Sequence, residues 1–410
     1  YIVHTFIYIC LMTFRKIEII DMQNKLVAIK LDHNSYISLH VQLHNQLRQL
    51  IISGRWQYGE KIPTETLLSR HLDISRTTVR LALQRAEVEG LIKRTAGRGT
   101  FVTYEPQENT SSRLVGYITR SFDNEIHRVQ LNSAETELRS AGYRVIFSNA
   151  TTSEEEVAIL EELLDYGIEG VMLYPHAEST QAQKDILLRY QAKNIPVVFL
   201  DRTVHGIESD YVSSDNHDGG YTVAKYLIEL GHQHIVFLQP TIHGLLPIDE
   251  RYDGYRTALQ EHGLPVYDPM RVDSNDGYEF FETDVFQVLS NEQSELVNSV
   301  ISNLENLDPH PTAIFGVNDC LAIIALLAIQ HMGLKVPDDI SIVGFDDISL
   351  AAYINVPLTT VSQDAHELGK VAAQKLIERL EGDTSPPVRH KVPIQLRIRK
   401  STSTPVYENQ

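Results

Sequence analysis

The segment from Lys61 to Val102 constrains the fold of this chain more than any other. A short helical stretch, Glu65 to His71, is followed by a tight Leu72-Asp73-Ile74 turn. A second helix opens at Ser75, whose hydroxyl is placed to cap the free N–H groups of the first turn. The front of that helix carries Arg76, Thr77, Thr78 and Arg80, side chains that reach phosphates and base edges from a helix N-terminus. Val79, Leu83 and Ala86 recur at helical spacing and face a core. After Gly90, the runs Leu91-Ile92-Lys93-Arg94 and Gly99-Thr100-Phe101-Val102 read as two short strands joined by a Thr95-Ala96-Gly97-Arg98 tip. The pattern is a helix-turn-helix backed by a basic β-wing, and it implies double-stranded DNA as a partner.

The net charge of −18 contradicts that reading until it is located along the chain. Between residues 48 and 98 stand Arg48, Arg55, Lys61, Arg70, Arg76, Arg80, Arg85, Lys93, Arg94 and Arg98 against Glu60, Glu65, Asp73, Glu87 and Glu89. The head is basic and everything after it strongly acidic, so phosphate attraction is confined to one part of the molecule. Cys10 and Cys320 have no metal-ligand spacing and form no disulfide framework, which fits a reducing cytoplasm. The apolar opening YIVHTFIYICLMTF meets Arg15 and Lys16 too soon to span a bilayer, and it lacks a leading basic region. No membrane association is expected, and translation is expected to begin downstream, at Met22.

The stretch from about Leu39 to Val102 resembles the winged-helix head of the gluconate-repressor (GntR) family. The likeness rests on an entry helix Val41 to Ser53, the Gly59…Ile62-Pro63-Thr64-Glu65 approach, the Ser75-Arg76-Thr77-Thr78-Val79-Arg80 helix and the glycine-rich wing. That resemblance implies operator contact by Arg76, Thr77, Thr78 and Arg80. It also implies phosphate contact by Ser75, DNA contact by Thr64 and Glu65 at the approach, and Gly97 and Arg98 in or near the minor groove. Thr66 departs from the pattern, standing where relatives place a basic or amide side chain.

After the polar run YEPQENTSSR, continuous apolar strands alternate with amphipathic helices. The expected strands are 114–118, 142–147, 171–174, 196–200, 234–238, 313–316 and 341–345. The expected helices are 129–140, 153–165, 219–230, 251–262 and 321–332. Such alternation indicates α/β architecture with parallel sheets covered on both faces. Two such units in tandem imply two lobes with a ligand cleft at their strand C-termini.

Residues 114–402 resemble the LacI/GalR effector core, which is built like the periplasmic sugar-binding proteins. The marks are VVFLDR at 197–202, VSSDNHDGG at 212–220, RYDG at 251–254, Asn318-Asp319, VPDDISIVGFDD at 336–347 and LTTV at 358–361. The resemblance implies that the lobes interlace, the first from 114–211 and 364–392, the second from 213–361 and the last strand. It also implies a homodimer on a pseudo-palindromic operator. Joined to this head, the core resembles the arabinose-repressor family, which implies L-arabinose as effector.

A sugar site needs carboxylates, amides and arginines, with a ring to cover one face. Candidates at strand ends are Arg202, Arg251, Asp319 and Asp346, with His127, Tyr174, His176 and Gln363 on flanking loops. Arg251 and Asp319 match the family's ligand-gripping positions best. Asp319 alternatively caps the helix it precedes, and Asp201-Arg202 alternatively braces strand and hinge. No P-loop, GxSxG or HExxH pattern occurs, so no catalytic residue, metal or cofactor is expected.

The expected division has 1–35 disordered or upstream of the true start, then a winged helix-turn-helix domain over 36–104. Next come a linker over 105–113 and a two-lobed effector and dimerisation domain over 114–405. Function is expected to be transcriptional repression relieved by a sugar. A different pentose or hexose, a corepressed regulator and an exported solute-binding protein stay open.

Overall fold

The computed structural model describes residues 29–32, 38–52, 54–95, 97–104, 112–122, 124–177, 179–241, 244–272 and 295–406. The chain divides into two compact units, 1–110 and 111–410. Expectations for residues 1–28, for Ala96 at the wing tip and for 105–111 of the linker lie outside the described residues.

In the first unit α1 (Leu39–Ile52) buries Leu43, Leu47, Leu50 and Ile51, spaced to form one helical stripe. Helices α2 (Glu65–Leu72) and α3 (Arg76–Val88) come next, joined through Asp73 in the left-handed region at φ 51°. Three strands close the unit: β1 (Lys61–Ile62), β2 (Ile92–Thr95) and β3 (Gly99–Val102), ordered β1-β3-β2 and antiparallel. The expectation that everything before residue 36 lies outside the fold is corrected at 29–32. Ile29 is buried in the head core. The side chains of Gln42 and Gln46, one turn apart on α1, pair with the backbone of Asp32 and Lys30. Each glutamine takes one N–H and gives one hydrogen bond to a carbonyl, as a neighbouring strand would.

The second unit contains two six-stranded sheets. The first runs β14-β8-β7-β6-β4-β5, built from β4 (Leu114–Thr119), β5 (Arg144–Asn149), β6 (Gly170–Leu173), β7 (Val197–Leu200), β8 (Asp210–Ser214) and β14 (Arg389–Val392). All its pairings are parallel. One face packs on α4 (Glu125–Ser140) and α11 (Ala365–Leu380), the other on α5 (Ser153–Asp165) and α6 (Gln181–Ala192).

The second sheet runs β10-β9-β11-β12-β13-β15, from β9 (Ile235–Pro240), β10 (Met270–Val272), β11 (Ala313–Gly316), β12 (Ser341–Asp346), β13 (Thr359–Gln363) and β15 (Ile394–Arg397). Only the β13–β15 pairing is antiparallel. Helices α7 (Asn216–Glu229), α8 (Leu246–Glu261), α9 (Glu295–Glu305) and α10 (Asp319–His331) cover this sheet, and α10 is buried from Asp319 to Leu326.

The chain passes between the lobes three times: from β8 into α7, from β13 into α11 and from β14 into β15. Two of the passages use one device. Asp215 caps α7 through Asp218 N, and Asp364 caps α11 through Glu367 N. A carboxylate accepting N–H groups at a helix start fixes the angle at which the chain leaves one lobe for the other.

Candidate functional site

The head presents its sequence-predicted residues on the start of α3 and on the wing. Ser75 caps α3, its Oγ accepting from Thr78 N at 3.0 Å and lying 2.8 Å from Thr78 Oγ1. Arg76, Thr77 and Arg80 are exposed on the next turn, and Thr78 is half-buried. Gly97, at φ 71°, and the exposed Arg98 form the described part of the wing tip. Arg76 and Arg98 have no ion pair among the described residues.

The other two candidates from the approach have structural work. Thr64 is the N-cap of α2, accepting from Leu67 N. Glu65 lies 3.5 Å from Arg80 Nε and 3.6 Å from Arg94 Nη1, and Arg94 also donates to the carbonyl of Arg80. Set between two guanidinium groups, the Glu65 carboxylate restrains Arg80. Two further acids of the head face its own arginines: Glu89 neighbours Arg48 and Arg85, and Glu87 neighbours Arg94. This leaves α3 and the wing as the net-positive face.

In the second unit the lobes enclose a cleft of about 600 Å³, including its open mouth. It is lined by Asn124, Ile126, His127, Gln130, Tyr174, Asp201, Arg202, Leu245, Pro247, Ile248, Arg251, Asn318, Asp346 and Gln363. Six of the eight candidate ligand residues lie on it: His127, Tyr174, Arg202, Arg251, Asp346 and Gln363.

Arg251 is 6 % exposed. Its Nε donates to Asn216 Oδ1 at 2.8 Å and its Nη1 to the Val317 carbonyl at 2.7 Å. Its guanidinium carbon lies 3.6 Å from the centre of the Phe345 ring, and Nη2 faces Asp346 Oδ1 at 3.9 Å. Asp346 accepts from Gln363 Nε2 at 2.6 Å, and Gln363 accepts from Ser214 Oγ at 2.6 Å. Asn216 Nδ2 donates back to the Ser214 carbonyl, closing a ring of polar contacts through the hinge.

The glycines of two motifs explain how Arg251 gets there. A Cβ on Gly220 would lie 1.9 Å from the Arg251 carbonyl oxygen, and one on Gly254 would lie 1.9 Å from that of His217. Helices α7 and α8 therefore touch backbone to backbone, each glycine receiving a carbonyl of the other helix.

On the first lobe Tyr174 donates to Asp201 Oδ2 at 2.7 Å, and Asp201 sits at φ 58°. The Tyr174 ring is 4.4 Å from the His127 ring and 5.1 Å from the Arg202 guanidinium, measured between centres. Both neighbours pack against the ring, and its hydroxyl is held by Asp201. His127 Nδ1 lies 3.1 Å from both Thr119 Oγ1 and the Ser121 carbonyl. Leu245, Pro247 and Ile248 at the start of α8 supply apolar wall for C–H surface.

Two of the candidates do not line the cleft. Asp319 lies outside the cleft lining, fully buried, accepting from Thr360 Oγ1 at 2.5 Å and Ile348 N at 2.9 Å. Burial pushes its carboxyl well above the usual aspartate range, and Asp346 adds to the effect. Neighbouring Asn318 caps α10 through Leu321 N and lines the cleft instead. His176 also lies off the lining, because its N–H is held by buried Glu156, which Gln183 bonds from the other side. Burial raises the Glu156 carboxyl as well.

Sequence reasoning missed Asn124, Gln130 and Asn318. Gln130 is 3 % exposed and its Oε1 has no hydrogen-bond partner among the described residues. Among the described residues no group of His, Cys, Asp or Glu could hold a metal ion, and no helix is long and apolar enough to cross a membrane.

Residues 39–102 match the family of bacterial regulatory proteins of the gntR type, and residues 224–402 match the periplasmic binding protein-like domain. The chain is 31% identical over 348 residues to the arabinose metabolism transcriptional repressor of Geobacillus stearothermophilus, covering 83% of this chain and 91% of that protein. It is 27% identical over 345 residues to the repressor of the same name from Halalkalibacterium halodurans, covering 82% and 88%. A LacI family transcriptional regulator from Enterococcus faecium with bound ribose superimposes with a TM-score of 0.58 at 25% identity, over 71% of this chain and 99% of that one. With a gntR-type head and a periplasmic-binding-protein-like core in one polypeptide, the chain belongs to the family of arabinose metabolism transcriptional repressors.

Proposed function

We propose that this protein is a transcriptional repressor that binds operator DNA as a homodimer and releases it when L-arabinose fills the interlobe cleft. The observation that carries the reading is that cleft: arginine, carboxylate and carboxamide groups converge on it from both lobes, in a chain that also bears a winged head. A sugar's hydroxyls are both donors and acceptors, which suits Arg251, Asp346, Gln363, Asn318 and Gln130, while Leu245, Pro247 and Ile248 take its C–H surface. Two heads related by a two-fold axis set two recognition helices into successive major grooves, with Arg76, Thr77, Thr78 and Arg80 at the base edges and Arg98 at the wing.

Sugar contacts that exist only when the lobes are closed shift the molecule toward its closed form, and that shift lowers operator affinity. A coupling of about 2–3 kcal/mol weakens operator binding roughly 30- to 150-fold, and operator must weaken sugar binding by the same factor. Operator binding by fluorescence anisotropy, titrated with L-arabinose, other pentoses, hexoses and purines, tests the reading. Release by L-arabinose alone is expected. Release by another sugar replaces the effector, tightening replaces the sign of regulation, and sugar affinity unchanged by operator rejects the coupled switch.

A further inference from the structure

The loop after β12 is tied down residue by residue. Asp346 and Asp347 both have positive φ, 118° and 57°, a backbone seldom adopted by residues with a side chain. Asp346 receives Gln363 on the cleft floor, and Asp347 receives Arg399 Nη2 at 2.5 Å. Ile348 donates its N–H to buried Asp319. These three tethers lie within the second lobe. The fourth residue breaks the pattern: Ser349 bonds to the first lobe. Its N–H reaches Glu125 Oε2 at 2.9 Å and its Oγ–H reaches Glu125 Oε1 at 2.5 Å. Glu125 is the first residue of α4 and directly succeeds Asn124, which lines the cleft.

We propose that Glu125 and Ser349 are the latch that holds the two lobes closed over the effector, and that loop 346–349 joins this latch to Asp346 in the cleft. The inference rests on the two-lobed switch proposed above and adds the residues that set its balance. Ser349 is exposed and Glu125 half-buried, so their bond is not part of either core. The start of α4 does not depend on it either, because Asn124 already accepts from Ile126 N and His127 N. A two-point bond to a carboxylate that exists only when the lips meet contributes to closure and to nothing else. Because Asp346 and Ser349 are three residues apart on a fully tethered loop, a ligand that fixes Asp346 also fixes the latch acceptor's partner.

The test uses the full chain and four variants: Glu125→Ala, Ser349→Ala, the double variant and Glu125→Gln. L-Arabinose affinity by calorimetry is expected to fall ~10-fold in Glu125→Ala and ~3-fold in Ser349→Ala, as the closed, binding-competent fraction falls. The double variant is expected to be no weaker than Glu125→Ala. Glu125→Gln is expected to bind within about twofold of wild type, since its carbonyl accepts the N–H and its amide meets the hydroxyl.

Hydrogen–deuterium exchange without sugar gives a second readout that does not require L-arabinose to be the effector. Glu125→Ala should speed exchange on both lips, in 124–130 and in 344–350, and Glu125→Gln should restore both. Faster exchange confined to 124–130, or losses that add in the double variant, would overturn the latch. If wild type ignores L-arabinose, the effector reading fails while the exchange result still decides the latch.

Discussion

Gly254→Ala is a one-methyl change whose effect on sugar binding can be worked from the crossing of α7 and α8. The added Cβ would lie 1.9 Å from the His217 carbonyl oxygen and 2.8 Å from Tyr221 N. Carbon prefers contacts of about 3.5 Å, so the helices must part by roughly 1.5 Å. Overpacking of this kind costs about 1–3 kcal/mol. Arg251 lies three residues earlier on α8, and its bond to Asn216, the first residue of α7, crosses the same seam. Each hydrogen bond from a charged group contributes about 1.5–3 kcal/mol, so weakening this one doubles the damage. Urea unfolding is expected to lose about 3 kcal/mol, and L-arabinose affinity about tenfold or more. Leu259→Ala is the control: it empties a fully buried site five residues on in α8, costing about 2–5 kcal/mol, without parting the helices. Sugar affinity unchanged in Gly254→Ala, or lost equally in Leu259→Ala, would refute the argument.

Asp319→Asn addresses the buried carboxylate. Its raised pKa means that the folded state holds the proton more tightly than the unfolded chain does. That contribution is fully present below the ordinary aspartate range and is lost as pH rises through the raised value. The asparagine variant should therefore gain on wild type as pH rises, with sugar affinity preserved; parallel stability curves in urea would contradict this. Glu65→Ala should act oppositely on two kinds of DNA. Losing an anion strengthens binding to random sequence, while freeing Arg80 erodes discrimination, with Arg80→Ala itself costing about 1–3 kcal/mol at the operator. Equal changes on operator and random duplexes would show that Glu65 does not orient Arg80. Ile29→Ala should destabilise the head by about 2 kcal/mol. The chain's single tryptophan, Trp56, is buried in the head core, so its fluorescence reports head unfolding separately; an unmoved urea midpoint would remove 29–32 from the fold.

The head was legible because its signals are local: Ser75 as cap, Val79, Leu83 and Ala86 in period, glycine in the wing. In the second unit periodicity revealed β4, β5, β6, β7, β9, β11 and β12 and the interiors of α4, α5, α7, α8 and α10. It did not reveal β8, β10, β13, β14 and β15, nor α6 and α9, and of the helix starts it found only that of α5. Apolar periodicity begins α4 at 129, α7 at 219, α8 at 251 and α10 at 321, whereas they begin at Glu125, Asn216, Leu246 and Asp319. The missing turns contain or adjoin polar cleft residues, and burial pattern reports only faces turned to a core. The same blindness hid Asn124 and Asn318. At the start of α10 one step in sequence turns a side chain by about 100°, so Asn318 meets the cleft while Asp319 enters the core. An Asn-Asp pair at a helix start holds a signal for this, since the cap is the outer residue of the two. The interlacing of the lobes was read from family likeness, and the strand order was not read at all, because long-range pairing leaves no periodic trace.

Those three passages have a consequence for how the molecule is made. The first lobe's sheet lacks its edge strand until residues 389–392 have been added, and the second waits for 394–397. A chain emerging from the ribosome thus carries two unfinished sheets until nearly its last segment, each with an open edge. Synthesis cannot deliver one completed lobe and then start the other, as it does for domains strung in series. The two halves of the ligand chamber must mature together, and a chain cut short before β14 would lose a strand from both at once.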